Sequence, residues 1–142
     1  RDIKPENLVF GTGSERLILH LVDLGFAKRY IDNNGRHSIM EEGRKMTGTP
    51  VYASVPTHKG YSMSRRDDME SASYVLLELA HGSLPWTKDN ALERKNEEIW
   101  STFPDVPGEF LIFLKYCRSL KYNDKPNYEY LIGLFNNLRN RT

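Results

Sequence analysis

Two stretches near the start of the chain carry residue types that suit phosphoryl transfer. Asn7 follows Asp2 by five positions, and Asp23 follows Asn7 by sixteen. A transferred phosphoryl group passes through a loose transition state, so the protein mainly positions the reactants and neutralises charge. We predict that Asp2 holds an acceptor hydroxyl and that Lys4 neutralises the moving phosphate. Asn7 and Asp23 offer the oxygen ligands that Mg²⁺ prefers.

The sequence between the two metal-ligand candidates predicts the element that brings them together. Residues 8–10 predict a short strand, and the alternating apolar residues 17–22 predict a second one. Residues 11–13 could be considered as a phosphate cradle, but Arg16 occupies the place of the third glycine and a strand follows rather than a helix. We therefore interpret them as the turn of a hairpin that places both metal ligands at one mouth.

The remainder of the chain predicts a fold of the α+β class that is mainly α. Residues 25–61 are polar without a sustained period, which predicts a long functional loop. Ser64 and Asp67 predict the start of a helix whose apolar residues cover nearly every face, so this central helix should be buried. Residues 91–100 predict a further, more exposed helix. Two amphipathic helices are predicted from apolar residues at positions i, i+3, i+4 and i+7: Phe110, Phe113, Leu114 and Cys117, and then Tyr128, Leu131, Ile132 and Phe135.

Composition limits the functional classes. The 142 residues make one domain, and a net charge of +1 gives no strongly basic face for nucleic acid. The single cysteine, Cys117, excludes an internal disulfide and predicts a buried thiol in a reducing, cytoplasmic or nuclear compartment. There is neither an apolar run long enough to cross a bilayer nor a signal peptide, so we expect no membrane partner.

The motifs together resemble a known family. Residues 1–7 are similar to the catalytic loop of eukaryotic protein kinases, and residues 23–25 resemble their metal-binding Asp-Phe-Gly with Leu24 for Phe. Further stretches resemble the casein kinase I group, namely residues 45–49, 52–54, 64–71, 82–86, 117–120 and 123–128. The resemblance implies a helical C-terminal lobe over residues 1–142 and ATP-dependent phosphorylation of protein Ser or Thr. It also implies that ATP and Mg²⁺ are held with the help of Lys4, Asn7 and Asp23.

The resemblance implies two supporting roles. Thr49 would bridge Asp2 and Lys4 and help to select Ser or Thr, although a Thr before Pro50 is also an ordinary turn residue. Asp68 would hydrogen-bond the backbone of the catalytic loop and hold it rigid. The alternative role for Asp68 is that of a carboxylate at the helix N-terminus that interacts with the helix macrodipole, and the two roles are compatible. Asp67 is expected to be the capping or surface residue.

The same resemblance implies a site for an anion. Arg1, Lys28 and Arg44 could converge on a phosphate or an acidic side chain, although each alone could be a solvated surface charge. Val51 stands where the group usually carries an Arg that binds such an anion, which predicts a weakened preference for already phosphorylated substrates. Leu24 should keep an apolar plug beneath the metal-binding Asp. The basic run after residue 86 is thinned by acidic residues, with Glu93, Glu97 and Glu98 among Lys88, Arg94 and Lys95.

A complete kinase also needs a glycine-rich loop, a strand lysine on the phosphates and a helix glutamate. None of these precedes Arg1 in the sequence, so we expect these residues alone to be inactive and the parent polypeptide to be the enzyme. The alternative is a non-catalytic binding module, either a pseudokinase or a truncated product. A metabolic phosphotransferase is disfavoured by residues 48–50, which kinases use to receive a peptide. The oligomeric state and the substrates are not specified.

Overall fold

A short antiparallel hairpin carries the first part of the chain. The computed structural model describes residues 1–97 and 99–141. In it, β1 (Leu8–Phe10) pairs with β2 (Leu19–Leu21) so that Leu8 lies opposite Leu21, and a 3₁₀ turn at Gly13–Glu15 connects the strands. The predicted hairpin and its turn are therefore confirmed. Ile3 and Leu8 pack against the main core and anchor the hairpin to the helical body.

The long segment between the hairpin and the central helix is irregular, as predicted. A turn around Asp32 is closed by the bridge between Ile31 and His37, and one short helix, α1 (Val55–His58), interrupts the segment. The hydroxyl of Tyr122 lies 3.0 Å from Ser38 Oγ and 3.1 Å from Ser62 Oγ. One tyrosine from the C-terminal part of the chain thus ties down two points of the loop.

The central helix α2 (Arg65–His81) starts and ends where the sequence predicts. At its start, the Asp67 carboxylate accepts a hydrogen bond from the Ser64 backbone nitrogen at 2.8 Å, and at its end Gly82 adopts φ +93°. Tyr74 and Leu77 are fully buried, but Leu79 is 69% exposed. The prediction of burial on every face is wrong for the last turn, because apolar residues are also common on protein surfaces and pattern alone does not show which face is covered.

Two further helices pack beside α2. They are α4 (Gly108–Ser119) and α5 (Tyr128–Arg141), and α2 packs mainly against α4. The predicted apolar face of α4 is confirmed, since Phe113, Leu114 and Cys117 are buried. Of the four positions predicted for the α5 face, Leu131 is buried but Ile132 is 61% exposed. The buried face predicted for α5 was too wide. Because α5 packs mainly on α4, only a narrow stripe of α5 is buried.

The region between α2 and α4 differs most from expectation. Helix α3 (Ala91–Asn96) is only two turns long and is followed by a 3₁₀ turn at Ile99–Thr102. Its residues Ala91 and Lys95 are buried, so the prediction of one exposed helix over residues 91–100 is wrong in both length and exposure. The reason is that Lys95 finds hydrogen-bond acceptors inside the protein. Glu98, which we expected to thin the basic run, lies outside the described residues.

The predicted class, α+β and mainly helical, is confirmed by these elements. The core contains aromatic side chains from several segments, including Tyr52, Trp86 and Phe103. Burial raises the pKa of the Cys117 thiol to about 12, which agrees with the predicted buried thiol. Within the described residues, none of the helices combines the length and the apolar character that a membrane span requires.

Replacing Asp67 should strongly destabilise the fold. Its carboxylate is fully buried, caps α2 through Ser64 and accepts a hydrogen bond from Ser54 Oγ at 2.6 Å. Asp67→Ala leaves two buried donors without an acceptor, so we expect a loss of about 2 to 4 kcal/mol in the free energy of unfolding, measured by urea denaturation. The control is Glu129→Ala, which removes an exposed carboxylate from the first turn of α5. Equal losses for both variants would contradict the assignment.

Candidate active site

Asp2 lies at the centre of the candidate site. Its Oδ1 accepts a hydrogen bond from Thr49 Oγ1 at 2.8 Å, and Lys4 Nζ lies 3.4 Å from its Oδ2. The Asp2 side chain is 10% exposed. The structure therefore brings together three residues that the sequence singled out, with the hydroxyl on one carboxylate oxygen and the ammonium beside the other. This fixes the orientation of the carboxylate.

Local structure explains how the stretch after Asp2 is held. Lys4 is extended, and Pro5 then opens a 3₁₀ turn that ends at Asn7. Asn7 is buried, and its side-chain Nδ2 donates to the Asp2 carbonyl at 2.9 Å. This bond closes the stretch into a loop. It also assigns the carboxamide orientation, so that the oxygen remains an acceptor for another group.

Gly48 allows the segment carrying Thr49 to approach Asp2. It has φ +87°, and a Cβ at this position would lie 2.6 Å from the Arg1 carbonyl oxygen and 3.3 Å from Asp2 Oδ1. Both the backbone angle and the short distance require glycine. Gly48 was predicted only as part of a motif, and this close approach was not predicted. The signal in the sequence was a glycine directly before Thr49, which carries the candidate hydroxyl.

Asp23 lies at the open end of the hairpin, next to Asn7. The backbone nitrogen of Val22 donates to the Asn7 carbonyl at 2.9 Å, so the pairing of the strands continues up to the two metal-ligand candidates. Asp23 is exposed, and it is the one described residue other than glycine with positive φ, at 58°. Such a conformation is uncommon for a residue with a side chain, and strained residues of this kind cluster at functional sites.

The expectation for Leu24 is wrong. This side chain is 66% exposed and lines a groove, so it does not form an apolar plug beneath Asp23. Its neighbour Gly25 instead stabilises the turn, because its backbone nitrogen donates to Asp23 Oδ1 at 3.1 Å. Asp23 is thus positioned by a local hydrogen bond from Gly25 rather than by apolar packing.

The donor set at the hairpin mouth suits Mg²⁺. One carboxylate and one carboxamide, from Asp23 and Asn7, would hold the ion, and Mg²⁺ commonly takes its remaining ligands from water and substrate phosphates. The described residues contain no group of three or more His, Cys, Asp or Glu side chains arranged for a metal. Held by these two residues, the ion would supply neutralisation of phosphate charge.

The two aspartates at the start of α2 differ in burial. Asp67 is fully buried, whereas the Asp68 side chain is 40% exposed. Of the two alternatives expected for Asp67, a capping residue or a surface residue, the structure shows the capping residue. As the third residue of the helix, Asp67 turns back towards Ser64 and Ser54 beneath the loop.

Asp68 faces the first residue of the catalytic stretch. Its Oδ1 lies 3.3 Å from the backbone nitrogen of Arg1. The Oδ1 atom itself is buried, and burial raises the pKa of the Asp68 carboxyl. The contact places a helix carboxylate beside the backbone of the loop that carries Asp2.

The three candidate anion ligands line one groove of about 930 Å³. Two of them already have partners: Arg1 Nε donates to the Phe26 carbonyl at 2.7 Å, and Arg44 Nη2 lies 2.8 Å from Glu41 Oε2. Lys28 is exposed on the same groove. The structure therefore brings Arg1, Lys28 and Arg44 to a common surface, and an incoming anion would have to compete with Glu41 for Arg44.

The segment that carries Thr49 is held by side chains that the sequence analysis did not select. Trp86 Nε1 donates to the Val51 carbonyl at 2.9 Å, and the Val55 backbone nitrogen donates to Glu70 Oε1 at 3.0 Å. Lys95 also contacts this segment from a fully buried position, although the sequence analysis counted it among surface charges. A sequence signal existed in the spacing of four between Ala91 and Lys95, which places both on one helical face.

One protein family matches most of the chain. The family model described as the protein kinase domain matches residues 1–132. The matched range includes the stretch around Asp2, the hairpin with its two metal-ligand candidates, and the segment around Thr49. A kinase-type phosphotransferase is therefore the class of enzyme to which this site corresponds. The chain belongs to the protein kinase domain family.

Proposed function

We propose that this domain transfers the γ-phosphate of ATP to Ser and Thr hydroxyls of protein substrates, as a kinase of the casein kinase I type. Family membership supports phosphoryl transfer. The observation that carries the finer proposal is the arrangement of Thr49 and Lys4 on the two oxygens of Asp2. It provides a carboxylate, a hydroxyl and a cation within one small volume, as transfer to an alcohol requires.

In this proposal, Asp2 orients the acceptor hydroxyl and accepts its proton. Its carboxylate is held on both sides, so it needs no reorganisation when the acceptor arrives. Lys4, whose ammonium lies beside Asp2, neutralises charge on the transferred group. Thr49 restricts the space next to Asp2 and favours the short hydroxyl side chains of Ser and Thr.

The nucleotide side of the site depends on the hairpin. Asn7 and Asp23 would hold Mg²⁺, which supplies charge neutralisation on the phosphates when it is bound. Protein kinases also use a glycine-rich loop and a strand lysine to hold ATP. Assays of the proposal therefore use the full-length polypeptide that carries this domain. Transfer by the full-length protein would favour the enzyme over a non-catalytic docking module.

The groove beside Asp2 would receive the substrate peptide. Arg1, Lys28 and Arg44 line it and would attract an acidic or phosphorylated residue near the acceptor. Val51 supplies no charge at the position where the resemblance leads us to expect an Arg. Truncation of a desolvated charge pair removes substantial binding energy, whereas loss of a rim charge mainly alters association. We therefore propose that priming phosphates contribute weakly.

Replacing the central carboxylate tests the catalytic assignment. Asp2→Asn keeps the size of the side chain but removes its ability to accept a proton, so we expect kcat to fall by roughly 10²- to 10⁴-fold. The measurement is phosphate transfer from ATP to a Ser peptide by the full-length protein. Asp105→Asn, an exposed aspartate outside the site, is the control. Unchanged turnover in Asp2→Asn would rule out the role assigned to Asp2.

Replacing Gly48 tests the close approach of the two segments. Gly48→Ala would push the Thr49 segment away from the Arg1 carbonyl, and a misplacement of about 1 Å can cost on the order of 100-fold in rate. We expect a loss of that order in kcat/KM for the peptide. Gly35→Ala is the matched control, since Gly35 also has positive φ but a Cβ there meets no atom within 4 Å. If both variants lose activity equally, backbone strain rather than the contact with Arg1 is responsible.

A pair of peptides tests the proposal about Val51. The peptides differ only in whether a residue near the acceptor Ser is phosphorylated. We expect their kcat/KM values to differ by less than about tenfold, which corresponds to about 1.4 kcal/mol. The same peptide with Ala at the priming position serves as the control for sequence effects. A much stronger preference for the phosphorylated peptide would refute the proposal.

A further inference from the structure

Lys95 is fully buried, which is rare for a lysine. Its Nζ donates a hydrogen bond to the Ala53 carbonyl at 2.7 Å and another to the Pro50 carbonyl at 3.1 Å. These two carbonyls belong to the segment that carries Thr49. A buried ammonium is costly unless it is well paired, so its use here calls for an explanation.

Aromatic rings complete the surroundings of this ammonium. Lys95 Nζ lies 4.5 Å from the centroid of the Tyr74 ring and 5.4 Å from that of Trp86. Both distances fall in the range of cation–π attraction. Burial lowers the pKa of Lys95 to about 7, while the nearby charge of Glu70 acts in the opposite direction and that of Arg118 adds to the shift.

The carbonyls held by Lys95 are part of a turn that leads directly to Asp2. The backbone nitrogens of Tyr52 and Ala53 both donate to the Thr49 carbonyl, at 3.0 and 2.9 Å. The side chain of Thr49 then donates to Asp2. A shift of the Pro50 or Ala53 carbonyl would therefore move Thr49, because the turn is closed on itself.

Other side chains hold the same turn at different atoms. Trp86 Nε1 binds the Val51 carbonyl, and His58 Nε2 lies 2.9 Å from the Pro50 carbonyl. Lys95 is the group that contacts the turn at both of its ends, at Pro50 and at Ala53. Its ammonium can do so because it has three donors.

We propose that Lys95 is a positioning residue for the acceptor site: it fixes the turn from Pro50 to Ala53, and through it the hydroxyl of Thr49 on Asp2. The inference rests on the proposed function, since it assigns to this buried cation an effect on the peptide and not on the nucleotide. The hydrogen bonds of Lys95 go to the segment that carries Thr49.

The test is a comparison of substrates in the Lys95→Met variant of the full-length protein. Methionine keeps the apolar stem and most of the volume but leaves two carbonyls without their donor. We expect kcat/KM for the Ser peptide to fall by about tenfold or more, and KM for ATP to change by less than about twofold. Lys88→Met, at an exposed lysine in the same region, should leave both values unchanged.

A stability-matched control separates positioning from general weakening. Leu131→Ala removes a buried side chain of the α4–α5 cluster and should lower Tm without affecting the peptide KM. Both variants are assayed well below their own Tm. An equal loss for the peptide and ATP in Lys95→Met, or a loss no larger than that in Leu131→Ala, would overturn the inference. Should Lys95→Met fail to fold, Lys95→Leu, which also lacks a donor, takes its place under the same criteria.

Hydrogen exchange gives a readout that does not depend on activity. In Lys95→Met, the amides of Tyr52 and Ala53 should exchange about tenfold faster or more, whereas amides of α4 should keep their protection. Unchanged exchange at both amides would contradict the positioning role. If the wild-type protein transfers no phosphate, the proposed function fails, and the exchange measurement still decides whether Lys95 fixes the turn.

Discussion

The hydrogen bond from Thr49 to Asp2 joins two parts of the chain that lie 47 positions apart, and the rest of the structure serves to place its two ends. A hydrogen bond to a charged group contributes only about 1.5 to 3 kcal/mol net. That is too little to order the long irregular segment that brings Thr49 to Asp2. Both ends must therefore be positioned by other contacts.

Helix α2 supplies most of these contacts through three acidic residues near its start. Asp67 receives the hydroxyl of Ser54, Asp68 faces the backbone of the first residue, and Glu70 accepts from the backbone of Val55. A rigid helix thus fixes the Asp2 loop and the Thr49 segment relative to one another. Three carboxylates so close together repel each other, and buried carboxylates are costly unless they are paired.

Cations beside the helix offset that repulsion. Arg66 Nε lies 3.6 Å from Asp67 Oδ2, and Arg118 Nε lies 3.5 Å from Glu70 Oε1. Arg118 also donates to the hydroxyl of Tyr74, which in turn donates to Glu70. The platform under the site is therefore a polar network built around two buried carboxylates, those of Asp67 and Glu70.

The sequence predicted those features that depend on local pattern. The hairpin follows from alternation and a glycine turn, the start of α2 from its capping residues, and the buried face of α4 from helical spacing. Asp2 and Lys4 were selected by residue type and spacing and Thr49 by the family resemblance, and the structure brings the three together. Features that depend on long-range partners could not be predicted from the sequence. Lys95 is buried because the carbonyls of Pro50 and Ala53, more than 40 positions away, accept its hydrogen bonds, and no local pattern indicates such a contact.

The two halves of the site differ in how firmly they are built. The acceptor half is enclosed: Asp2 is 10% exposed and is held by both Thr49 and Lys4. The half around Asp23 is exposed, and the hydrogen bond that orients its carboxylate comes from the neighbouring Gly25. Electrostatic stabilisation is most effective when the stabilising groups are already in place. Asp2 meets this condition in the protein alone, whereas Asp23 is an exposed residue with positive φ whose carboxylate is held by the neighbouring Gly25. Under the proposed function, Mg²⁺ held by Asn7 and Asp23 would supply charge on the side where the protein provides fewer contacts.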